Sequence, residues 1–379
     1  MTEPGRERAL EIVAREGLAL VGIAPAREVP GVREATLAAL DGGRLAGMRW
    51  MDHAWIGRAA DPQAFLPGAR SLILVALPCH APDPEPPADG PARGRVARYA
   101  RGRDYHRVFE RTLRRIAKAL REELGEGARA TVDYGPLLER PLAAAAGLGW
   151  IGKSTMLLVP GTGPWVLLGV VATTADLEPG RPVGKTCGAC TRCIAACPTG
   201  AISADGGSVD ARLCISYHTI ENRGVIPREL RAKFKDWVFG CDDCLDSCPV
   251  GARNPDSHPE FVPHSLDDAR PPLRDLLALD SGRFTARFRG RAIMRAQRDG
   301  LARNACIALG NVGTADDLPD LAGALADASA LVRGHAAWAV GALGRRTGAP
   351  AWREQLAARL AVEDDPWVRE ELSFALGGE

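Results

Sequence analysis

The spacing of apolar positions divides the chain into three stretches. Over residues 1 to about 180, short continuous apolar runs alternate with runs at helical spacing. Leu10, Val13 and Ala14 lie about one helical turn apart ahead of Gly17, and Leu20-Val-Gly-Ile23 then reads as a short strand. Ser71-Leu-Ile-Leu-Val-Ala-Leu77 and Val166-Leu-Leu-Gly-Val-Val-Ala172 are almost wholly apolar, which predicts strands covered on both faces. Between them Val108, Leu113, Ile116, Ala117 and Leu120 mark the inner face of a long helix over Tyr105 to Leu124, and Ala130 to Val132 is a further short strand. Ala81 to Pro91 is Pro-rich and predicts a surface loop. Such alternation is the pattern of an α/β domain.

From Asp299 onward the pattern becomes wholly helical and repeats. Arg303-Asn-Ala-Cys-Ile-Ala-Leu-Gly310, Val332 to Gly344 and Val368 to Gly377 are imperfect copies of one helix, recurring near the ~40-residue period of helical solenoids. Each copy has an Arg near its start and a Gly at its end, the residue that stops helices. A HEAT-like module is expected, and stacked helices of this kind form docking surfaces.

Eight of the ten cysteines fall between these two regions, from Cys187 to Cys248. Cys187-x2-Cys190-x2-Cys193-x3-Cys197-Pro198 is the ferredoxin pattern for 4Fe-4S clusters, in which the fourth cysteine serves the other cluster. Cys241-x2-Cys244-x3-Cys248-Pro249 repeats it without its first cysteine, a place that Cys214 can fill. Cys187, Cys190, Cys193 and Cys248 then hold one cluster, and Cys197, Cys214, Cys241 and Cys244 the other. A structural zinc ion asks for one set of two cysteine pairs, which leaves the triplets ending in Cys-Pro unexplained. Disulfides suit secreted chains, and no leader of the secretory type opens this one. Cys79 and Cys306 lie in apolar surroundings and read as core residues.

Charge adds little in total, since 48 Lys and Arg face 47 Asp and Glu. It matters locally. Arg93 to Arg115 carries nine arginines against Asp104 and Glu110, and Arg283 to Arg303 is similarly basic, both interleaved with aromatic residues that suit phosphate contact and base stacking. No apolar run approaches the ~20 residues of a membrane span, so a soluble cytoplasmic protein of two or three domains is expected.

Clusters deliver single electrons, so the first region should hold their destination. Gly147-Leu-Gly-Trp-Ile-Gly152 does not follow a strand and lacks a downstream acidic partner, which argues against a Rossmann site. Asp133, just after the strand ending at Val132 and before Gly135-Pro136, is a carboxyl group at a strand end, able to give a proton if burial raises its pKa. A turn-capping Asp is the plainer alternative. Asp104-Tyr-His106-Arg-Val-Phe109 approaches the D-x-H-x-x-G motif of histidine-ligated cobalamin but lacks the glycine, so His106 reads as structural or substrate-facing.

Taken in order, Ala97 to His106, Val132 to Arg140, Gly149-Trp-Ile-Gly-Lys-Ser154, the Cys187 run, Cys214 to Glu221 and Gly240 to Cys244 resemble the epoxyqueuosine reductases over nearly the whole chain. The resemblance implies an α/β cobalamin-binding catalytic domain (1–180), a ferredoxin-like domain with two 4Fe-4S clusters (181–264) and an all-α HEAT-like repeat module (265–379). It implies reduction of epoxyqueuosine to queuosine at the tRNA wobble position, with electrons from an external low-potential donor. The reduced cobalt would act as nucleophile toward the epoxide, and Asp133 would protonate the opened oxygen. By the same resemblance Arg58, Ala97, Asp133, Lys153, Ser154, Ser216 and Asp242 contact cobalamin. Arg98, Arg101, Arg303, Asn304, Arg333 and Trp338 would hold the anticodon stem-loop. A monomer is expected, since that substrate is large and the repeat tail already supplies a docking surface, and no membrane association is expected. The chain departs from the family at Tyr134, Leu245 and Ala97, where Thr, Gln and Cys are frequent. A reductive dehalogenase and a non-enzymatic electron carrier with a scaffold are the alternatives; a carrier leaves Asp133 and the α/β region without a task.

Overall fold

The computed structural model describes residues 3–251 and 257–377. Two compact units emerge, each discontinuous in sequence: one of residues 1–81, 103–212 and 243–262, the other of residues 82–102, 213–242 and 263–379.

The first unit is built on four strands in the order Leu20–Pro25, Ser71–Pro78, Val166–Thr173, Ala128–Thr131. Every neighbouring pair is antiparallel, with Ile23 opposite Ile73 and Ile73 opposite Val171. The α/β pattern is therefore carried, among the described residues of this sheet, by antiparallel strands. Continuous apolar runs report burial on both faces and carry no information on strand direction. That burial is observed: residues 71–77 are all covered.

One face is covered by the helix Tyr105–Leu124, whose buried side is Tyr105, Val108, Phe109, Leu113, Ile116, Ala117 and Leu120. Asp104 caps its start and Gly125, left-handed at φ 67°, ends it. Its close approach depends on Gly169, where a Cβ would stand 2.4 Å from Leu113 Cδ1. On the other face Leu72, Leu74, Ala76, Val170 and Ala172 pack with Leu142 and Ala143 of the helix Glu139–Ala145. The two helices thus frame the segment that joins Thr131 to Glu139.

The second unit contains the repeats. Helices Gln297–Val312, Ala330–Thr347 and Pro366–Gly377 stack in succession, with Leu318–Ala324 and Trp352–Val362 between them. Two of the repeat glycines expected to stop helices lie inside them. A Cβ on Gly310 would meet Trp338 at 2.8 Å, and one on Gly344 would meet Trp352 at 2.3 Å. Missing side chains at these positions make room for the neighbouring helix's tryptophan. The second of these helices instead ends at Gly348, φ 67°.

Candidate active site and cluster-binding cysteines

Asp133 is held by its turn. Its φ of 52° is left-handed, a conformation that Asp tolerates better than most residues. Tyr134 N–H donates to Val132 O (2.5 Å) and Leu137 N–H to Gly135 O (2.8 Å). Gly135 cannot be replaced without collision, since a Cβ there would lie 1.9 Å from Thr131 Oγ1. The Asp133 amide donates to Glu139 Oε1 (2.8 Å), which ties the turn to the first residue of the next helix. The crevice of a parallel sheet is not what positions this carboxylate, because the sheet is antiparallel.

The Asp133 side chain is 59% exposed. His106 spans two acids: Nδ1 lies 2.7 Å from Asp104 Oδ1 and Nε2 lies 3.1 Å from Asp133 Oδ2. Its ring stacks on Tyr105 at 4.0 Å. Desolvation pushes the imidazole pKa down, but bonds to Asp104 and Asp133 prevail and raise it to about 9. Burial pushes Asp133 up, and His106 with Tyr105 more than offset it, so this carboxyl is held below its usual range. Beneath it Glu139 is pushed up to about 8 by burial and by the neighbouring Asp133 charge. Sequence reading singled out Asp133 and His106 separately. Their juxtaposition, with Glu139, comes from helix and turn meeting across one end of the sheet.

In the same unit the helices Arg192–Ala196 and Asp243–Asp246 pack together, which brings the two cysteine runs side by side. Burial raises the Cys248 thiol pKa, and the nearby thiols of Cys187, Cys193 and Cys190 raise it further. Cys248 is therefore grouped with the three cysteines assigned to it by spacing. Lys153 N–H points at Cys187 Sγ (3.4 Å) and Ala201 N–H at Cys197 Sγ (3.3 Å), the amide-to-sulfur contacts that tune cluster potentials. All ten cysteines are unbridged, with Cys79 and Cys306 buried in the core as expected. Among the described residues no three potential ligands are grouped as around a single ion. Cubane thiolates each take a different iron and are spaced more widely than ligands of one ion. This donor set fits a 4Fe-4S cluster, and Cys248→Ala is expected to lower bound iron from about eight to about four atoms per chain. Iron assay checks this; an undiminished content removes Cys248 from the ligand set.

The remaining site expectations fare differently. Arg58 is exposed at the end of its helix. Lys153 donates from Nζ to Gly188 O (2.9 Å), and Ser154 is buried in the turn that Thr155 N–H closes onto Gly152 O. In the second unit Ala97 is buried against Gly240, Ser216 is half-buried, and Asp242 accepts from Arg98 N–H (2.8 Å).

The expected tRNA contacts need correction. Arg98 lies between Asp242 and Asp83, and Arg101 is fully buried with Asp83 and Val96 O. Arg303 and Asn304 are fully buried and bonded to backbone carbonyls, Trp338 is buried, and Arg333 is paired with Glu363. These side chains hold the interior together, because a buried guanidinium must find acceptors within the fold. The arginines left to solvent in the first run are Arg103, Arg107, Arg111, Arg114 and Arg115.

Comparison with known proteins places the chain. The model of "Epoxyqueuosine reductase QueG, DUF1730" matches residues 59–134, that of the "4Fe-4S double cluster binding domain" residues 186–251, and that of "HEAT repeats" residues 291–377. An epoxyqueuosine reductase of Gloeobacter violaceus is 41% identical over 78% of this chain and 93% of its own. The chain belongs to the epoxyqueuosine reductase family. A second epoxyqueuosine reductase, from Xanthomonas campestris, is 40% identical over 79% of this chain and 85% of its own. Among solved structures, an epoxyqueuosine reductase with a tRNA-Tyr epoxyqueuosine-modified stem loop superposes with a TM-score of 0.90 at 30% identity, covering 98% of this chain and 97% of that one. The Bacillus subtilis epoxyqueuosine reductase, solved with a catalytic aspartate loop swung out of its active site, gives 0.89 at 30% identity with 98% of both chains covered.

Proposed function

We infer that this chain is an oxidoreductase that reduces epoxyqueuosine in tRNA to queuosine, the last step of queuosine formation, with cobalamin and two 4Fe-4S clusters. The observation that carries this reading is the presence in one compact unit of an acid pair, Asp133 with His106, and a four-cysteine group, Cys187, Cys190, Cys193 and Cys248. Removing the epoxide oxygen takes two electrons and two protons and releases water. The clusters supply electrons singly, and cobalamin, when bound, supplies a strongly reducing nucleophile for the epoxide carbon.

The chain's own groups do the rest. Asp133 presents an exposed carboxyl to the substrate oxygen and delivers its proton. Both nitrogens of His106 face carboxylates, so this histidine is not free to ligate cobalt, which fits a cobalamin held without it. Arg58, Ala97, Lys153, Ser154, Ser216 and Asp242 are the residues we assign to cobalamin, and Cys197, Cys214, Cys241 and Cys244 to the second cluster, both on family resemblance. We retain residues 1–180 as the catalytic region, 181–264 as the cluster region and 265–379 as the repeats. For the tRNA backbone we propose the exposed face of the Tyr105–Leu124 helix, where Arg107, Arg111 and Arg114 recur at helical spacing beyond His106. A monomer fed by an external low-potential donor in the cytoplasm completes the reading; among the described residues no helix is long and apolar enough to cross a membrane.

Anaerobic incubation with tRNA carrying epoxyqueuosine, with and without cobalamin, tests it. Mass spectrometry of the nucleoside should show cobalamin-dependent loss of one oxygen. Absence of conversion by protein replete in iron and cobalt would refute the substrate assignment.

A further inference from the structure

The reaction consumes two protons, but a carboxyl group open to solvent at 59% and bonded to a cation is a poor place to store one. The store must lie next to it. We propose that His106, clamped at Nδ1 by Asp104, is the proton reservoir of the site: its Nε2–H passes to Oδ2 of Asp133 while Asp133 gives a proton to the substrate oxygen. This inference rests on the reading of Asp133 as the proton donor.

The geometry supports the assignment at each link. Asp104 Oδ1 accepts both from the His106 backbone (3.1 Å) and from its Nδ1 (2.7 Å), so the ring is fixed at its root and its edge. Stacking on Tyr105, which is itself buried, fixes the ring plane. With Nδ1 committed to a carboxylate, Nε2 is the one nitrogen that can give its proton away, and it lies 3.1 Å from Asp133. The ring is 27% exposed, enough to be recharged from water between the two proton transfers. In each transfer an N–H bond of the imidazolium breaks as a carboxyl O–H forms. That carboxylic acid then yields its proton to the oxygen leaving carbon, and the electrons come from the clusters. His106 is thus a positioning and proton-storing residue that acts through Asp133.

The charged groups around the pair favour a proton on the ring. From the helix, Asp104 faces it directly, with Arg107, Glu110 and Arg114 further along. From the turn and the following helix come Asp133, Tyr134, Glu139 and Arg140. Burial of the ring works against its charge, but the two carboxylates in direct contact outweigh that cost and raise its pKa to about 9.

The test is the pH profile of the holoenzyme and of His106→Gln, together with nitrogen-15 NMR of histidine-labelled protein. The wild-type rate should fall on the alkaline side near pH 9, with one histidine remaining cationic until then. In His106→Gln that signal should vanish and the alkaline limb should move at least about two pH units toward acid, lowering the rate at pH 8 by roughly tenfold or more. Asp104→Asn, which keeps the helix cap, should shift both signal and limb the same way by less. An unmoved limb in His106→Gln with full iron content and tRNA affinity would overturn the proposal, as would a His106 ring neutral at pH 7.5 in the wild type. Asp133→Asn separates the two readings: full activity in that variant refutes Asp133 itself, whereas an inactive Asp133→Asn beside an unshifted His106→Gln refutes the reservoir alone.

Discussion

Asp133→Asn should lower turnover by a factor of roughly 100 or more while leaving iron content, cobalamin content and tRNA affinity unchanged. The amide matches the carboxylate in shape and can still bond His106, but it has no proton to transfer at the oxygen. The backbone bond from residue 133 to Glu139 does not involve the side chain, so the left-handed turn should survive the change. Single-turnover reduction of epoxyqueuosine in tRNA, read by mass spectrometry, is the measurement. Wild-type rates would remove this carboxyl from the chemistry and leave it as a turn residue.

Arg303→Ala should destabilise the repeat-containing unit by about 3–5 kcal/mol without changing how tRNA affinity depends on salt. Arg303 donates to Asn222 O (2.9 Å), Gly224 O (2.7 Å) and His218 O (2.6 Å), and its neighbour Asn304 donates to Thr219 O (3.0 Å) and Val238 O (2.8 Å). Truncation leaves buried carbonyls without donors, each at a cost of about 1–3 kcal/mol. A fall in melting temperature on the order of 10 °C follows for a unit of this size. Filter binding across salt should give an unaltered slope, because a residue with no exposed surface neutralises no phosphate. A flattened slope with an unchanged melting temperature would return Arg303 to the RNA surface.

The arginines show how far the chain can be read without its fold. Nine arginines between Arg93 and Arg115 form one basic run in the sequence, but the fold divides them. Arg98 and Arg101 turn inward to Asp83 and Asp242, while Arg107, Arg111 and Arg114 stay in water on one helix face. Charge pattern reports what a residue can bind, and only packing decides whether it meets solvent or a buried acid. The repeat glycines teach the same lesson, since glycine ends a helix or admits a neighbouring tryptophan with the same lack of a side chain.

What the sequence determined by itself was chemistry carried on local spacing. The C-x2-C-x2-C spacing marked Cys187, Cys190 and Cys193 as one run of cluster type, and the apolar face from Val108 to Leu120 marked the helix that covers the sheet. Both signals depend on residues within a few turns or a few ligands of one another, so they survive in one dimension. Strand direction, the burial of Arg303 and the meeting of Asp104, His106, Asp133 and Glu139 were decided by tertiary structure alone. His106 and Asp133, 27 positions apart, come within hydrogen-bond distance because the start of a helix and a turn meet in the fold. No periodicity encodes that meeting.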